Sequence, residues 1–256
     1  MPDRRRRLCG WITAALLVTA VPARAQLAVA AASDLQPVLP DIAARFQRVT
    51  GQPVSVSFGS SGHFAAQIRN GAPFDVFLSA DESHVQVLID SGYAVRGSVV
   101  HYATGRLALW SRSDRGLDLS PGLRALADPR VRRIAIANPD HAPYGRAAIE
   151  ALRTAGLDAR LRDTLVLGES VSQAAQFALT GNADVGIIAV SLTRTPAMQA
   201  VGRAVEIAPG AYPVIRQSGV VLARAHANQL ATRFLAFVTS PEIAAVLVAA
   251  GFGAPQ

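Results

Sequence analysis

A chain of 256 residues, half of them hydrophobic, with a formal charge of +7, is long enough to bury two α/β units rather than one. All 25 basic residues are arginine, which excludes a phosphate-loop lysine, Schiff-base chemistry and a kinase-type lysine. The charge gathers at the start: setting aside Asp3, Arg4 to Arg7 and Arg24 leaves 20 basic against 17 acidic residues, with Arg132-Arg133 the only adjacent pair, so nothing favours a nucleic-acid surface.

In chain order, residues 1–25 read as a secretory signal: the arginine run, an apolar stretch from Trp11 to Val21, then Ala23-Arg24-Ala25 as a small-x-small cleavage site. The apolar stretch is about half of what a membrane-crossing helix needs. Cys9 lies upstream of it, so the exported chain has no thiol for a disulfide, a zinc–thiolate site or a nucleophile. The expected destination is the periplasm.

From Leu27 onward short apolar runs alternate with amphipathic ones, the pattern of β-α-β units. Strands are predicted at 27–31, 53–58 and 75–78, and helices at 35–49, 61–70 and 81–91. The helix at 35–49 puts Leu35, Leu39, Ile42 and Phe46 on one face. After a stretch punctuated by Gly97 and Gly105 come strand 134–137, helix 144–155, strand 165–167, helix 170–180 and strand 184–188, then helices at 227–239 and 241–250.

Gly59–Val76 and Gly168–Val185 agree without gaps at Gly59/Gly168, Ser61/Ser170, Ala65/Ala174, Ala66/Ala175, Gln67/Gln176, Asp75/Asp184 and Val76/Val185. Shared helix-cap and strand-start chemistry accounts for such matches as well as a duplication does. Either way both halves carry strand, Gly-x-Ser turn, helix and strand. The expected fold is therefore α/β with two lobes, each a mostly parallel sheet flanked by helices. Lobe 1 takes 26–104 with 214–256 and lobe 2 takes 105–213, the crossovers falling near 102–107 and 211–217. A ligand would sit between the lobes, at the carboxyl ends of the strands.

Four strand-to-helix turns are rich in small, hydroxyl, glycine or proline residues: Ala32-Ser33-Asp34, Gly59-Ser60-Ser61-Gly62, His141-Ala142-Pro143-Tyr144-Gly145 and Gly168-Glu169-Ser170-Val171. The first turn of a helix leaves backbone N–H groups unpaired and partly positive, so converging turns hold an anion without any lysine or arginine. Taken singly, each turn is an ordinary N-cap. Ser61 also sits where a hydrolase nucleophile elbow would place its serine, but His63 replaces the last glycine of that pattern, and no histidine has a distinctive setting as base. No histidines stand at helical ligand spacing and no run of carboxylates matches a calcium loop, so neither a metal nor a cofactor is expected.

Ala31-Ala32-Ser33-Asp34-Leu35, Phe58-Gly59-Ser60-Ser61-Gly62, Gly71 to Asp81 (GAPFDVFLSAD) and Asn138 to Gly145 (NPDHAPYG) together resemble, in family order, the periplasmic molybdate-binding proteins of ABC transporters. The resemblance covers essentially the whole exported chain. It implies a type II periplasmic-binding fold whose lobes close on molybdate or tungstate, and a monomer that is not an enzyme and delivers its ligand to a membrane permease. It further implies Ser33 and Ser61 as hydroxyl and amide donors, Tyr144 and Val171 as backbone donors, and Asp34 as a further backbone N–H. Some members carry a tyrosine hydroxyl after the strand that here reads Gly186-Ile187-Ile188-Ala189, and the Tyr144 hydroxyl is expected to replace that missing donor. The alternatives are a ligand-sensing domain of the same fold, against which stand the export signal and the lack of a DNA-binding segment, and a serine hydrolase acting through Ser61.

Overall fold

The computed structural model describes residues 26–255, so the expected export signal and Cys9 lie outside the described residues. The first half runs β1 (Leu27–Ala32), α1 (Leu39–Thr50), β2 (Val54–Gly59), α2 (Ser61–Arg69), β3 (Val76–Ser79), α3 (Ser83–Asp90) and β4 (Val100–Gly105). The second runs β5 (Leu107–Arg112), β6 (Ile134–Ala137), α4 (Pro143–Thr154), α5 (Asp158–Leu161), β7 (Leu165–Gly168), α6 (Val171–Leu179), β8 (Val185–Ala189), α7 (Val190–Thr193), α8 (Pro196–Val201) and β9 (Gly202–Glu206). The chain returns through β10 (Ile215–Val221) and ends in α9 (Gln229–Val238) and α10 (Pro241–Ala249). Among the described residues no single helix is long and apolar enough to cross a membrane.

Two five-stranded sheets result, ordered β2-β1-β3-β10-β4 and β7-β6-β8-β5-β9. The α/β, two-lobed expectation holds, and each sheet is mixed. The β2-β1-β3 and β7-β6-β8 triplets are parallel, as βαβ crossovers require, while β10 and β5 run antiparallel to both of their neighbours. In each sheet the fourth position is filled by the strand that has just crossed from the other lobe. The crossings lie between Gly105 and Leu107 and between Glu206 and Ile215.

The two matching sequence segments become β2-α2-β3 and β7-α6-β8, placed alike in their sheets. Their shared aspartates are structural. Asp75 accepts from the Ala28 N–H at 2.9 Å, and Asp184 accepts from Arg132 and Arg133 N–H at 2.9 Å each, so both carboxylates hold the entrance of the neighbouring strand.

Helix α1 starts at Leu39 rather than the expected Leu35, and Ser33–Leu35 forms a separate turn of 3-10 helix. Starting there puts Pro40 in the first turn, where no N–H is needed. The buried face is Leu39, Ile42, Ala43 and Phe46, and Phe46 meets Phe234 edge-on at 5.1 Å. Each such large side chain stabilises the lobe by about 1.5–3 kcal/mol. Four strands escaped the sequence reading. Strand β5 (LALWSR) is an unbroken buried run, and β10 (IRQSGVV) interrupts its apolar residues with buried Gln217 and Ser218, so neither shows the alternation that marks a half-exposed strand.

Candidate functional site

All four turns lie at the carboxyl ends of parallel strands: β1, β2, β6 and β7. The structure brings Ser33, Asp34, Ser61, Tyr144 and Val171 together, along with Ser60, Ala80 and Pro143, around one interlobe cavity of ≈ 10 Å³. That is far below the range for drug-sized ligands, about 300–1,000 Å³, and leaves room for no more than a small inorganic ion. Among the described residues no arginine or histidine lines it.

Each predicted donor owes its place to a helix start. Ser60 caps α2, its side chain accepting from His63 N–H at 3.3 Å, which makes Ser61 the first helical residue. Ser170 caps α6 in the same way through Gln173 N–H at 3.3 Å, which makes Val171 first. In α4 Pro143 opens the helix and Tyr144 follows. The backbone N–H groups of Ser61, Tyr144 and Val171 therefore have no carbonyl one turn earlier in their own helices. Gly145 lets α4 begin against its strand, since a Cβ there would lie 2.1 Å from the Ala137 carbonyl oxygen.

The two serine hydroxyls are held by incoming amides. Ser61 Oγ accepts from Ala80 N–H at 2.9 Å, and Ser33 Oγ accepts from Ser172 N–H of the other lobe at 3.3 Å. An oxygen fixed in this way keeps its own hydrogen to donate. The arrangement gives Ser61 no histidine partner among the described residues, and a hydrolase nucleophile would need one. His141, whose Nδ1 meets a serine at 2.9 Å, meets Ser60 instead.

Beneath the cavity lies a polar network that the sequence did not reveal. Asp34 is fully buried; its Oδ2 accepts from Gln217 Nε2 at 2.6 Å and from the Tyr144 hydroxyl at 3.0 Å, while its Oδ1 is buried without a partner. Gln217 Oε1 in turn accepts from the Tyr102 hydroxyl at 2.8 Å, and the Ser191 hydroxyl of lobe 2 donates to the Asp34 carbonyl at 2.8 Å. Burial is the largest influence on Asp34 and lifts its pKa from 3.8 to about 6, against the hydrogen bonds from Tyr144 and Gln217. Tyr144 is pushed well above the ordinary tyrosine value by burial first and then by the facing carboxylate.

This geometry corrects one expectation. The Tyr144 hydroxyl does not stand free in place of the donor missing at Ala189, because its one hydrogen is committed to Asp34. The nearest signal for the network was Gln217, a polar residue inside an apolar strand, which has to find a partner when buried.

The lobes meet directly around the cavity. Gly62 N–H donates to the His141 carbonyl at 2.9 Å, and Arg146 of α4 forms an ion pair with Asp81. Burial opposes ionisation of Asp81, yet the hydrogen bond and charge of His84, together with Ser83, lower its pKa to about 2.

A family profile of bacterial extracellular solute-binding proteins matches residues 27–253. The chain belongs to that family. The molybdate-binding protein ModA of Azotobacter vinelandii is 37% identical over 96% of this chain and 97% of its own, and that of Rhodobacter capsulatus is 38% identical over 91% and 90%. The solved periplasmic molybdate-binding protein of Azotobacter vinelandii superposes with a TM-score of 0.83 at 36% identity, covering 90% of this chain and all of that one. The sulfate-binding protein SubI of Mycobacterium tuberculosis shares the fold with a TM-score of 0.75 at 15% identity, over 89% of this chain and 86% of that one. The resemblance to periplasmic molybdate-binding proteins thus extends from four short motifs to the whole fold. In this chain the two lobes meet around the cavity lined by the four turns.

Proposed function

We propose that this protein is exported by a cleaved signal at 1–25, captures molybdate or tungstate in the interlobe cavity, and delivers it as a monomer to the permease of an ABC transporter. The observation that carries this reading is the lining itself: residues from three helix starts and two serines surround a small space that, among the described residues, no cationic side chain lines. Neutral, preoriented donors hold a dianion by charge-assisted hydrogen bonds and leave no buried countercharge to desolvate when the ligand departs. The named relatives, two of them molybdate-binding proteins over 90% or more of this chain, support the choice of oxyanion, and the solved relative from Azotobacter vinelandii, itself a periplasmic protein, supports a periplasmic location. The same residues are suited to binding rather than to transformation: Ser61 Oγ accepts from the Ala80 amide and has no base beside it among the described residues.

Ser61→Ala removes one hydrogen bond to a charged ligand, which is worth about 1.5–3 kcal/mol. Titration calorimetry with molybdate should therefore show affinity falling by roughly tenfold to a hundredfold. Unchanged binding in this variant would remove the cavity from consideration as the ligand site.

A further inference from the structure

Closure of the lobes assembles a second cluster on the rim of the cleft, from residues distant in sequence. His63 projects from the first turn of α2 in lobe 1, and His141 and Glu169 stand in the turns before α4 and α6 in lobe 2. The two imidazole rings stack with centroids 3.9 Å apart and planes 22° from parallel. Glu169 Oε2 lies 3.5 Å from His141 Nε2 and 3.6 Å from His63 Nε2. One ligand-type atom from each residue falls within 4.8 Å of the other two.

We propose that this rim is a binding site for one zinc-class divalent cation, held by His63, His141 and Glu169, which ties the two lobes together over the occupied cavity. Tetrahedral zinc with bonds of about 2.0–2.1 Å sets its nitrogen and oxygen ligands roughly 3.4 Å apart. Both histidine–carboxylate separations already match, and the remaining contraction falls on His63 and Glu169, whose side chains are 47% and 65% exposed and free to adjust. His141 is the anchored ligand. His141 Nδ1 lies 2.9 Å from Ser60 Oγ, and in the tautomer that carries its proton on Nδ1 the Nε2 lone pair is turned toward the cluster, the outer-shell arrangement that orients metal-bound histidines. Three protein ligands leave a fourth position for water. Because Ser60 also lines the oxyanion cavity, the cation site and the cavity share a wall.

A metal bridging both lobes binds the closed form better than the open one, so by linkage zinc and oxyanion must strengthen each other by the same factor. The test is calorimetric titration of zinc into the full exported chain, with and without saturating molybdate, repeated for His63→Ala and Glu169→Gln. Neither residue touches the oxyanion cage. The expected result is one zinc per chain, affinity reduced by about tenfold or more in each variant, and tighter zinc binding in the molybdate-loaded protein. Absence of saturable binding, or equal binding by wild type and both variants, overturns the site. Equal zinc affinity with and without molybdate overturns the clamp. Direct molybdate titration of the metal-free protein is independent of all three outcomes, so failure here is distinguishable from failure of the oxyanion reading.

Discussion

Replacing Gly62 with alanine is expected to weaken molybdate binding by about 5-fold to 150-fold while leaving each lobe folded. The three nearest atoms that an added Cβ would meet belong to His141 in the opposite lobe: its carbonyl oxygen at 2.6 Å, its Cβ at 2.8 Å and its Cα at 2.9 Å. Two of these are backbone atoms, which cannot swing aside as a long side chain would. The same approach brings the Gly62 N–H onto the His141 carbonyl at 2.9 Å, so the methyl both blocks closure and lengthens an interlobe hydrogen bond. Overpacking of this kind costs about 1–3 kcal/mol, which converts to the stated loss of affinity. The cost falls on the closed form alone. In the open form α2 gains an alanine in place of glycine, a change that favours a helix by up to about 1 kcal/mol. The unliganded melting temperature should therefore hold or rise while calorimetry shows weaker binding. A variant with wild-type affinity would mean that the closed geometry around His141 is not the one in which ligand is held.

What the sequence made legible was local. Ser60 and Ser170 announce helix starts because a capping side chain acts within three residues of itself, and Pro143 does so because its ring suits only the first turn. The strand-to-helix turns followed from that chemistry, whereas the choice of five site residues within them came from the resemblance to periplasmic molybdate-binding proteins. What was hidden depends on residues brought together by closure. His63 and His141 stack across the cleft although no helical spacing relates them. Asp34 meets Tyr144 and Gln217 from two other parts of the chain. Strands β5 and β10 were missed for a related reason: each is inserted between neighbours and covered on both faces, so burial erased the period-2 signal. The fold class survives such losses because the remaining βαβ units determine it.

Asp34 gives the second large effect: molybdate binding should take up a proton near neutral pH, and Asp34→Asn should bind more tightly above pH 7, by about tenfold or more. In the closed fold the carboxyl has its pKa raised from 3.8 to about 6. Between those values the folded protein holds a proton that the unfolded chain gives up. The closed form therefore gains stability as pH falls from above 6 toward 4, and it carries the full cost of the buried charge above 6. That cost is of the order of 3 kcal/mol for a shift of about two units. A dianion arriving beside this residue is a like charge and drives the pKa higher still, so ligand binding near neutral pH favours proton uptake by the carboxyl. Protonation also changes the donors. A neutral Asp34 donates to the Tyr144 oxygen 3.0 Å away, so the pair keeps its hydrogen bond with the donor reversed. Asparagine reproduces the uncharged state at every pH, and its amide offers a hydrogen where Asp34 Oδ1 now has no partner. Calorimetry in buffers of different ionisation enthalpy, from about pH 6 to 8, reads the proton uptake directly. Wild-type affinity should fall as pH rises through that range, and the asparagine variant should show neither the slope nor the uptake. If wild type binds without taking up a proton, or if the variant binds more weakly at every pH, the carboxyl stays charged beside its ligand and the cage must be balanced in some other way.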